Sequence, residues 1–110
     1  MKLRIHGDSL RLRLSPSEID TLMGAGRIEE TIHFGLDQKL VYALVLTDEE
    51  NRISASLIEN AITVVMPRQW AVEWAETEKV GFETTQSVGK DGTLRILVEK
   101  DFHFIRRRLT

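Results

Sequence analysis

Cysteine is absent from this 110-residue sequence, which excludes disulfide frameworks, thiolate metal sites and cysteine nucleophiles. Long apolar runs are absent as well: the longest, residues 40–46, has seven residues, whereas a membrane-spanning helix needs about 20. The chain does not open with a cationic segment followed by an apolar stretch, so we expect no signal peptide, no membrane association and a cytoplasmic location. Hydrophobic residues make up 42% of the chain, which is enough to bury the core of one domain.

The net charge of −2 conceals an uneven distribution. Residues 1–13 carry a net charge of +3 and residues 102–110 another +3, which leaves −8 for the residues between them. Two basic ends around an acidic middle are typical of an anion-binding face, or of basic strands that pair with acidic neighbours in one sheet. We favour pairing, because a domain dedicated to nucleic acid usually carries a basic excess over its whole length.

Alternating apolar and polar residues predict a β-hairpin at the start of the chain, with strands over residues 2–6 and 10–14. Residues 7–8, Gly-Asp, match the two-residue turns that fix the register of a hairpin. In that register the basic side chains lie directly opposite one another, as two pairs: Lys2 with Arg13 and Arg4 with Arg11. Like charges in this arrangement destabilise a sheet, so either acidic side chains lie beside them or the face binds an anion.

Two helix starts interrupt the strands. Residues 15–18, Ser-Pro-Ser-Glu, match an N-cap serine, a first-turn proline and a capping box, and Pro67 begins a second short helix. Trp70 and Trp74 lie on one face of that helix at i, i+4, and we expect them to be core residues. The remaining predicted strands cover residues 27–34, 39–47, 53–57, 61–66, 80–85 and 93–102.

The order of elements is the same in two halves of the chain. Hairpin, proline-started helix and hairpin occupy residues 2–47 and again residues 52–103, and aligning the two prolines leaves one extra residue in the first copy. We therefore predict a single domain over residues 1–110, with two ββαββ repeats and a basic tail over residues 104–110. The predicted fold class is mainly β (α+β): an antiparallel β-barrel of about eight strands with two short helices and a pseudo-two-fold axis. A plain α+β sheet with both helices on one face is the alternative.

Short motifs recur in both halves at the turn, at the end of the second strand and in the last hairpin. In the first half they are Gly7-Asp8-Ser9, Leu12-Arg13-Leu14, Pro16 and Ile28-Glu29. In the second half they are Asn60, Val64-Val65-Met66-Pro67, Val80-Gly81-Phe82-Glu83 and Asp91-Gly92-Thr93-Leu94-Arg95-Ile96. Each half thereby resembles the swapped-hairpin barrel domain of AbrB-type transition-state regulators and MazE-type antitoxins. Since that family interleaves the hairpins of two protomers, the resemblance implies a single-chain pseudodimer.

The whole chain also resembles a family of small uncharacterised bacterial proteins. Those proteins open like residues 1–14, MKLRIHGDSLRLRL, and close like residues 97–102, LVEKDF. This second resemblance implies no function.

The candidate nucleic-acid or anion-binding residues are the basic side chains of the first hairpin: Lys2, Arg4, Arg11 and Arg13. The resemblance to the regulators implies DNA contact here, because that family keeps basic residues at the positions of Arg4 and Arg13. Val65 stands at the position of Arg13 in the second half, so one-sided contact is implied rather than two-fold readout. The reading we favour is that these arginines pair with carboxylates on neighbouring strands, for which the candidates are Glu29, Glu30, Glu83, Glu99 and Asp101.

No pattern in the sequence predicts an active site, a metal centre or a cofactor. His6, Asp8 and Ser9 are close in sequence, but the serine follows a hairpin turn and not a strand-to-helix elbow. The three histidines are too scattered to have a short ligand spacing. We therefore expect a non-enzymatic interaction module that binds a protein partner, as a monomer or weak homodimer. The alternative is a nucleic-acid-associated regulator that contacts DNA through the basic first hairpin.

Overall fold

Eight strands and two α-helices account for most of residues 1–101, the part of the chain that the computed structural model describes. In chain order they are β1 (Lys2–His6), β2 (Ser9–Leu14), α1 (Pro16–Ala25), β3 (Arg27–Gly35), β4 (Gln38–Thr47), β5 (Ser54–Ile58), β6 (Ala61–Pro67), α2 (Arg68–Glu76), β7 (Gly81–Ser87) and β8 (Thr93–Lys100). A turn of 3₁₀-helix over Gly89–Asp91 joins β7 to β8. The predicted basic tail over residues 104–110 lies outside the described residues, as does the end of the last predicted strand.

The strands form two four-stranded sheets. Sheet one has the order β1-β2-β8-β7 and sheet two the order β3-β4-β6-β5. The predicted mainly β class, with eight strands and two helices, is confirmed. The predicted barrel is not, since within residues 1–101 no strand ladder joins one sheet to the other.

The central strand pair of each sheet is parallel, β2 with β8 and β4 with β6, so the predicted antiparallel order is wrong there. The cause is that the hairpin turns of each sheet lie side by side. The N–H of Arg95 bonds to the carbonyl of Asp8 at 2.8 Å, and the N–H of Val41 to that of Asn60 at 2.9 Å. Both central strands of a sheet therefore start at the same end and run in the same direction.

The ladders of the two sheets share one register once residue numbers are shifted. The pair Lys2–Arg13 of β1 and β2 has its counterpart in the pair Ser54–Val65 of β5 and β6, and a shift of 52 reproduces every pair of that ladder. Adding 54 to the residue numbers of the β3–β4 pairs, from Arg27–Val45 to His33–Lys39, gives the β7–β8 pairs. Adding 52 to the β2 numbers and subtracting 54 from the β8 numbers converts the β2–β8 ladder into the β6–β4 ladder. Sheet two is thus paired strand for strand as sheet one is.

The two helices begin differently. At α1 the predicted capping box is confirmed: Ser15 Oγ accepts a hydrogen bond from the N–H of Glu18, whose carboxylate accepts one from the N–H of Ser15. Pro67 is the N-cap of α2 and lies outside the helix, whereas Pro16 is the first helical residue of α1. Under the shift of 52 the counterpart of Pro67 is Ser15, so the alignment of the two prolines is wrong by one residue. Proline's fixed φ suits both positions, which is why the sequence did not separate them.

The core lies between the sheets and beneath the helices. Its largest fully buried side chains are Trp74, Leu12, Leu14, Leu22 and Leu44. The helices contact each other and cover one end of this core, the helix end, while the four hairpin turns lie at the opposite end, the turn end. The prediction that Trp74 is a core residue is confirmed. Neither described helix is long and apolar enough to cross a membrane.

Tyr42, the single tyrosine of the chain, gives an optical test of this core. Its ring is buried and its hydroxyl donates a hydrogen bond to the carbonyl oxygen of Met1 at 3.2 Å. Burial raises the pKa of Tyr42, and the negative charge of Glu30 raises it further. We expect an ultraviolet titration of the folded protein to give a midpoint above that of the chain unfolded in urea.

Because the pKa of Tyr42 is raised in the folded state, we expect the protein to lose stability at alkaline pH. The contribution of the neutral phenol to stability is complete below the ordinary tyrosine pKa and is lost as pH rises from that value through the folded one. Urea unfolding at several alkaline pH values measures this loss. A folded-state midpoint at or below that of the unfolded chain would contradict the burial of Tyr42.

Candidate functional site

The outer face of sheet one carries all four predicted basic residues. Because side chains alternate between the faces of a strand, the register places three rows on this face: Lys2, Arg13 and Glu99; Arg4, Arg11, Leu97 and Glu83; His6, Ser9 and Arg95. We name this surface the basic face. The sequence predicted the two like-charged pairs of the hairpin correctly.

Carboxylates neutralise three of the four predicted basic residues. Lys2 Nζ lies 3.1 Å from a carboxylate oxygen of Asp101. Arg13 Nε lies 2.9 Å and Arg11 Nε 3.4 Å from the same oxygen of Glu99. The arginine contacts join β2 to β8, and the lysine contact joins β1 to the residue after β8, so Glu99 and Asp101 are the partners that the pairing hypothesis requires. Each pair is partly exposed, and such pairs contribute up to about 1 kcal/mol.

The other three carboxylates proposed as partners have different ion-pair partners. Glu29 pairs with Arg27 on its own strand at 2.6 Å, and Glu30 lies 3.5 Å from the amino terminus. Glu83 pairs with Arg95, whose hydrogen bond holds the pKa of the Glu83 carboxyl below its usual value. For Glu29 and Glu30 the expectation is wrong, because β3 belongs to sheet two. Glu83 does lie on the basic face, and the charge of Arg11 also lowers the pKa of its carboxyl, although its hydrogen bond is to Arg95.

Arg4 differs from the other cations of the basic face. Within residues 1–101 it has no ion-pair partner. It borders a pocket of about 170 Å³ whose lining residues are Arg4, His6, Ser9, Arg11, Arg95 and Leu97. Leu97 is the buried apolar member of this lining. The pocket therefore brings together guanidinium groups from three neighbouring strands.

Large apolar side chains are exposed mainly at the turn end. Of the eight exposed large hydrophobic residues within residues 1–101, seven lie on the hairpin turns or on the strand halves beside them: Ile5, Ile32, Phe34, Leu36, Leu57, Ile58 and Val88. The eighth, Val80, precedes β7. Exposed apolar surface that is concentrated at one end of a domain is a candidate interaction site. We name this set of seven residues the apolar turn end.

The edges of the two sheets face each other along two seams, one between β5 and β7 and the other between β1 and β3. Gln86 of β7 bridges the first seam, since its side-chain amide donates to the carbonyl of Ala55 at 2.7 Å and accepts from the N–H of Ala55 at 2.8 Å. At the second seam Glu30 of β3 lies 3.5 Å from the amino group that precedes β1. No side-chain amide joins β1 to β3 within the described residues, so the seams differ in how they are closed.

A larger groove opens at the helix end, between the β4–β5 loop and the start of α2. Its volume is about 890 Å³ and it is lined by residues 47–52, 54 and 67–70. Within it Arg68 pairs with Asp48 at 3.0 Å. Most of its lining side chains are polar or charged and lie on the surface, so it lacks the apolar walls of an ordinary small-molecule site.

The residues considered for catalysis and metal binding are not brought together. Ser9 Oγ donates its hydrogen bond to the main-chain carbonyl of His6 at 2.7 Å, so the neighbouring His6, Asp8 and Ser9 do not have the geometry of a catalytic triad. Among the side chains that the structure describes, no group of three could hold a metal ion. His103 lies outside the described residues.

The model of a family of unknown function, DUF7009, matches residues 1–109. The chain belongs to this family. The match spans both sheets and the basic face, and it agrees with the predicted resemblance of the whole chain to an uncharacterised family. No match to the chain was found among curated proteins or among solved structures.

Sequence reasoning missed three features of this DUF7009 chain. Arg95 was placed on a strand but not beside Arg4 and Arg11, because the neighbourhood of β2 and β8 is not a local property. Gln86 has no sequence signal for its bridge to Ala55. The exposure of the apolar turn end had a partial signal, since Leu36 lies in the predicted turn after Gly35, where an apolar side chain is unusual.

Proposed function

We propose that this chain is a non-enzymatic interaction module that binds an extended segment of a protein partner along the edge of β1. The observation that carries the proposal is the difference between the two seams. Gln86 bridges the β5–β7 seam, whereas the strands of the β1–β3 seam are exposed beside the apolar turn end. All seven residues of β3 from Glu29 to Gly35 are exposed, while residues of β7 alternate between half-buried and exposed.

The comparison of the seams treats the chain as a duplicated ββαββ unit, residues 2–47 and 52–103. The common register of the ladders supports duplication. The pairing of each half's first hairpin with the other half's second hairpin supports an AbrB-like pseudodimer, with a barrel that closes through the seams and not through ladders. Under the shifts of 52 and 54, Ala55 corresponds to Leu3 and Gln86 corresponds to Ile32.

Leu3 and Ile5 have main-chain groups available for a partner. Ala55 turns its N–H and C=O towards its seam, because both bond to the side chain of Gln86. Leu3 has the corresponding place in its own ladder, and residues of an antiparallel pair turn alternately towards and away from the neighbouring strand. Leu3 and Ile5 therefore both turn away from β2. Within residues 1–101 no backbone hydrogen bond from another element reaches them, so this edge is a template for strand addition.

Side chains of β1 select the chemistry of the partner. Lys2, Arg4 and His6 alternate along the outer side of this edge, so a second copy of the chain pairing edge to edge would bring cations together. An added strand that alternates acidic and apolar residues avoids this repulsion. Its carboxylates reach Arg4, which has no ion-pair partner within residues 1–101, while its apolar side chains contact Ile5 and Ile32.

A synthetic peptide of about eight residues that alternates glutamate and valine tests the proposal. We expect it to slow hydrogen exchange at the amides of Leu3 and Ile5, because those N–H groups become paired with the peptide main chain. Heteronuclear NMR measures exchange at each amide. A peptide that alternates lysine and valine is the charge control and should leave both amides unchanged.

The variant Ile32→Gln separates strand addition from general stickiness of the apolar turn end. It places at the β1–β3 seam the side chain that bridges the β5–β7 seam, so we expect it to bond to the main chain of Leu3 and to abolish peptide protection. Thr31→Gln puts the same side chain on the outer face of the same strand and is the matched control. In the Ile32→Gln variant the amide of Ile5 is the readout, because the new glutamine itself would protect the amide of Leu3. Peptide-induced protection of Ile5 that survives Ile32→Gln, or protection that falls on β5 in place of β1, would rule out the proposed edge.

One-sided binding of DNA through Lys2, Arg4, Arg11 and Arg13 is the alternative function. It is supported by the excess of charge on the basic face, where five cations (those four with Arg95) face three carboxylates (Glu83, Glu99 and Asp101). It is weakened by the ion pairs that occupy three of the four residues. We therefore rank DNA binding below strand addition. A short DNA duplex serves as a second probe in the binding experiment on the basic face.

A further inference from the structure

We propose that the pocket between Arg4, Arg11 and Arg95 binds the single phosphate group of a small phosphorylated ligand. This inference goes beyond strand addition and does not depend on it. Strand addition uses the main-chain edge of β1 and shares only the side chain of Arg4 with the pocket, which is formed by side chains of β1, β2 and β8 on the basic face.

The register explains why the guanidinium groups converge. Arg4 lies directly opposite Arg11, and residues opposite each other on antiparallel strands have Cβ atoms about 4.5–5.5 Å apart. Arg95 of β8 lies opposite Ser9 of β2. Ser9 precedes Arg11 by two residues, so Arg95 lies diagonally across from Arg11 on the same face of the sheet. Like charges that line one pocket repel each other, and an anion bound among them reduces the repulsion.

The carboxylates near the pocket do not balance its charge. One oxygen of Glu99 serves both Arg11 and Arg13, Glu83 serves Arg95, and Arg4 is without an ion-pair partner within residues 1–101. The basic face therefore retains two more cations than carboxylates. A phosphate monoester carries a charge of about −1.5 to −2 at neutral pH and three acceptor oxygens, which matches this excess. Guanidinium groups bind such oxygens in pairs with their planar N–H donors.

The size of the pocket favours an isolated phosphate over a polymer. One water molecule fills about 30 Å³ of the liquid, so about 170 Å³ admits a phosphate group with a short substituent. A duplex instead presents a row of phosphates along the strand, and contacts with it would extend to Lys2 and Arg13. Those two side chains already pair with Asp101 and Glu99.

Titration with inorganic phosphate at constant ionic strength tests the site. We expect saturable NMR shifts at the amides of Ser9, Arg95 and Leu97, and a dissociation constant raised about tenfold or more in Arg4→Gln. Arg4 is exposed and without an ion-pair partner within residues 1–101, so this variant keeps the fold. Arg27→Gln on sheet two is the matched control, since Arg27 pairs with Glu29 away from the pocket, and it should leave the dissociation constant unchanged.

Two results would overturn the inference. The first is a linear, unsaturated response to phosphate, or equal affinity in the wild type and Arg4→Gln. The second comes from a short DNA duplex used as the other probe at low and physiological salt. If the duplex binds more tightly than phosphate and shifts Lys2 and Arg13 together with the pocket, the polymer and not a small ligand is bound. Binding of phosphate with no response to the duplex supports the pocket as proposed.

Discussion

Replacing Trp74 with alanine is expected to lower the free energy of unfolding by about 3–5 kcal/mol, as for other buried tryptophans. Trp74 is fully buried, and its ring packs edge-on against Phe82 with a centroid distance of 6.5 Å. Its Nε1–H donates to the carbonyl of Val80 at 2.8 Å. That carbonyl also accepts from the N–H of Lys100, so the main cost is the cavity and not an unpaired carbonyl. Since domains of this size are stable by about 5–15 kcal/mol, the variant should be close to unfolding.

Trp70→Ala is the matched control for this prediction. Trp70 precedes Trp74 by one helical turn and stacks on Phe82 at 5.2 Å, but it is only half-buried. Its removal exposes the space to water and leaves no closed cavity, so we expect a clearly smaller loss. Urea unfolding followed by far-ultraviolet circular dichroism measures both variants without relying on tryptophan fluorescence. Equal losses would contradict the assignment of Trp74 as the central core residue.

Local features of the chain were predictable because they depend on short segments. The Gly7-Asp8 turn has two residues, so it fixes the whole register of the first hairpin, including the opposed pair Arg4 and Arg11. The capping box at the start of α1 is likewise decided within four residues. These predictions required no knowledge of what packs against the hairpin or the helix.

The neighbourhood of β2 and β8 was not predictable in this way, since paired residues of the two strands, such as Ser9 and Arg95, are 86 positions apart in the chain. Without it, Arg95 had no reason to be placed beside Arg11, and the parallel direction of the pair remained hidden. Glu99 was only one of five candidate partners for the basic residues. The pocket is therefore a product of topology, although every residue in it is visible in the sequence.

Ile32 illustrates why a periodic pattern does not determine burial. Its alternation with polar residues favours an inward side chain, and the register does place it on the same side of sheet two as the buried Leu44. Yet 42% of its surface is exposed. Its counterpart Gln86 has a polar side chain on the inward side and satisfies it by bonding to Ala55. The same alternation thus gives a closed seam in one half and an exposed one in the other.

The shift of 52 also shows that the basic residues of the first hairpin have no charged counterparts in sheet two. The counterparts of Lys2, Arg4, Arg11 and Arg13 on sheet two are Ser54, Ser56, Thr63 and Val65. Sheet two is therefore uncharged where sheet one is most basic. A two-fold symmetric ligand would need cations on both faces, so the arrangement favours a partner or ligand that contacts one side of the molecule.

Replacing Gly81 with alanine is expected to destabilise the protein by about 3 kcal/mol, at the upper end of the usual cost of overpacking. Gly81 begins β7 and lies opposite Glu99 of β8. A Cβ atom here would lie 2.1 Å from the carbonyl oxygen of Val98 and 2.6 Å from Cα of Glu99. Both are backbone atoms, so the clash cannot be relieved by rotating a side chain, and β7 would have to move away from β8.

Gly24→Ala is the same substitution in a different environment and should have the opposite sign. Gly24 lies in α1, and a Cβ atom there meets nothing within 4 Å. Alanine removes backbone freedom from the unfolded chain and favours the helix, which stabilises by about 0.5–1 kcal/mol. Urea unfolding of both variants therefore separates steric exclusion at the β7–β8 pair from the general cost of changing a glycine. If Gly81→Ala were as well tolerated as Gly24→Ala, β7 could not lie as close to β8 as this sheet requires, and the edge that Gln86 fastens to β5 would be placed differently.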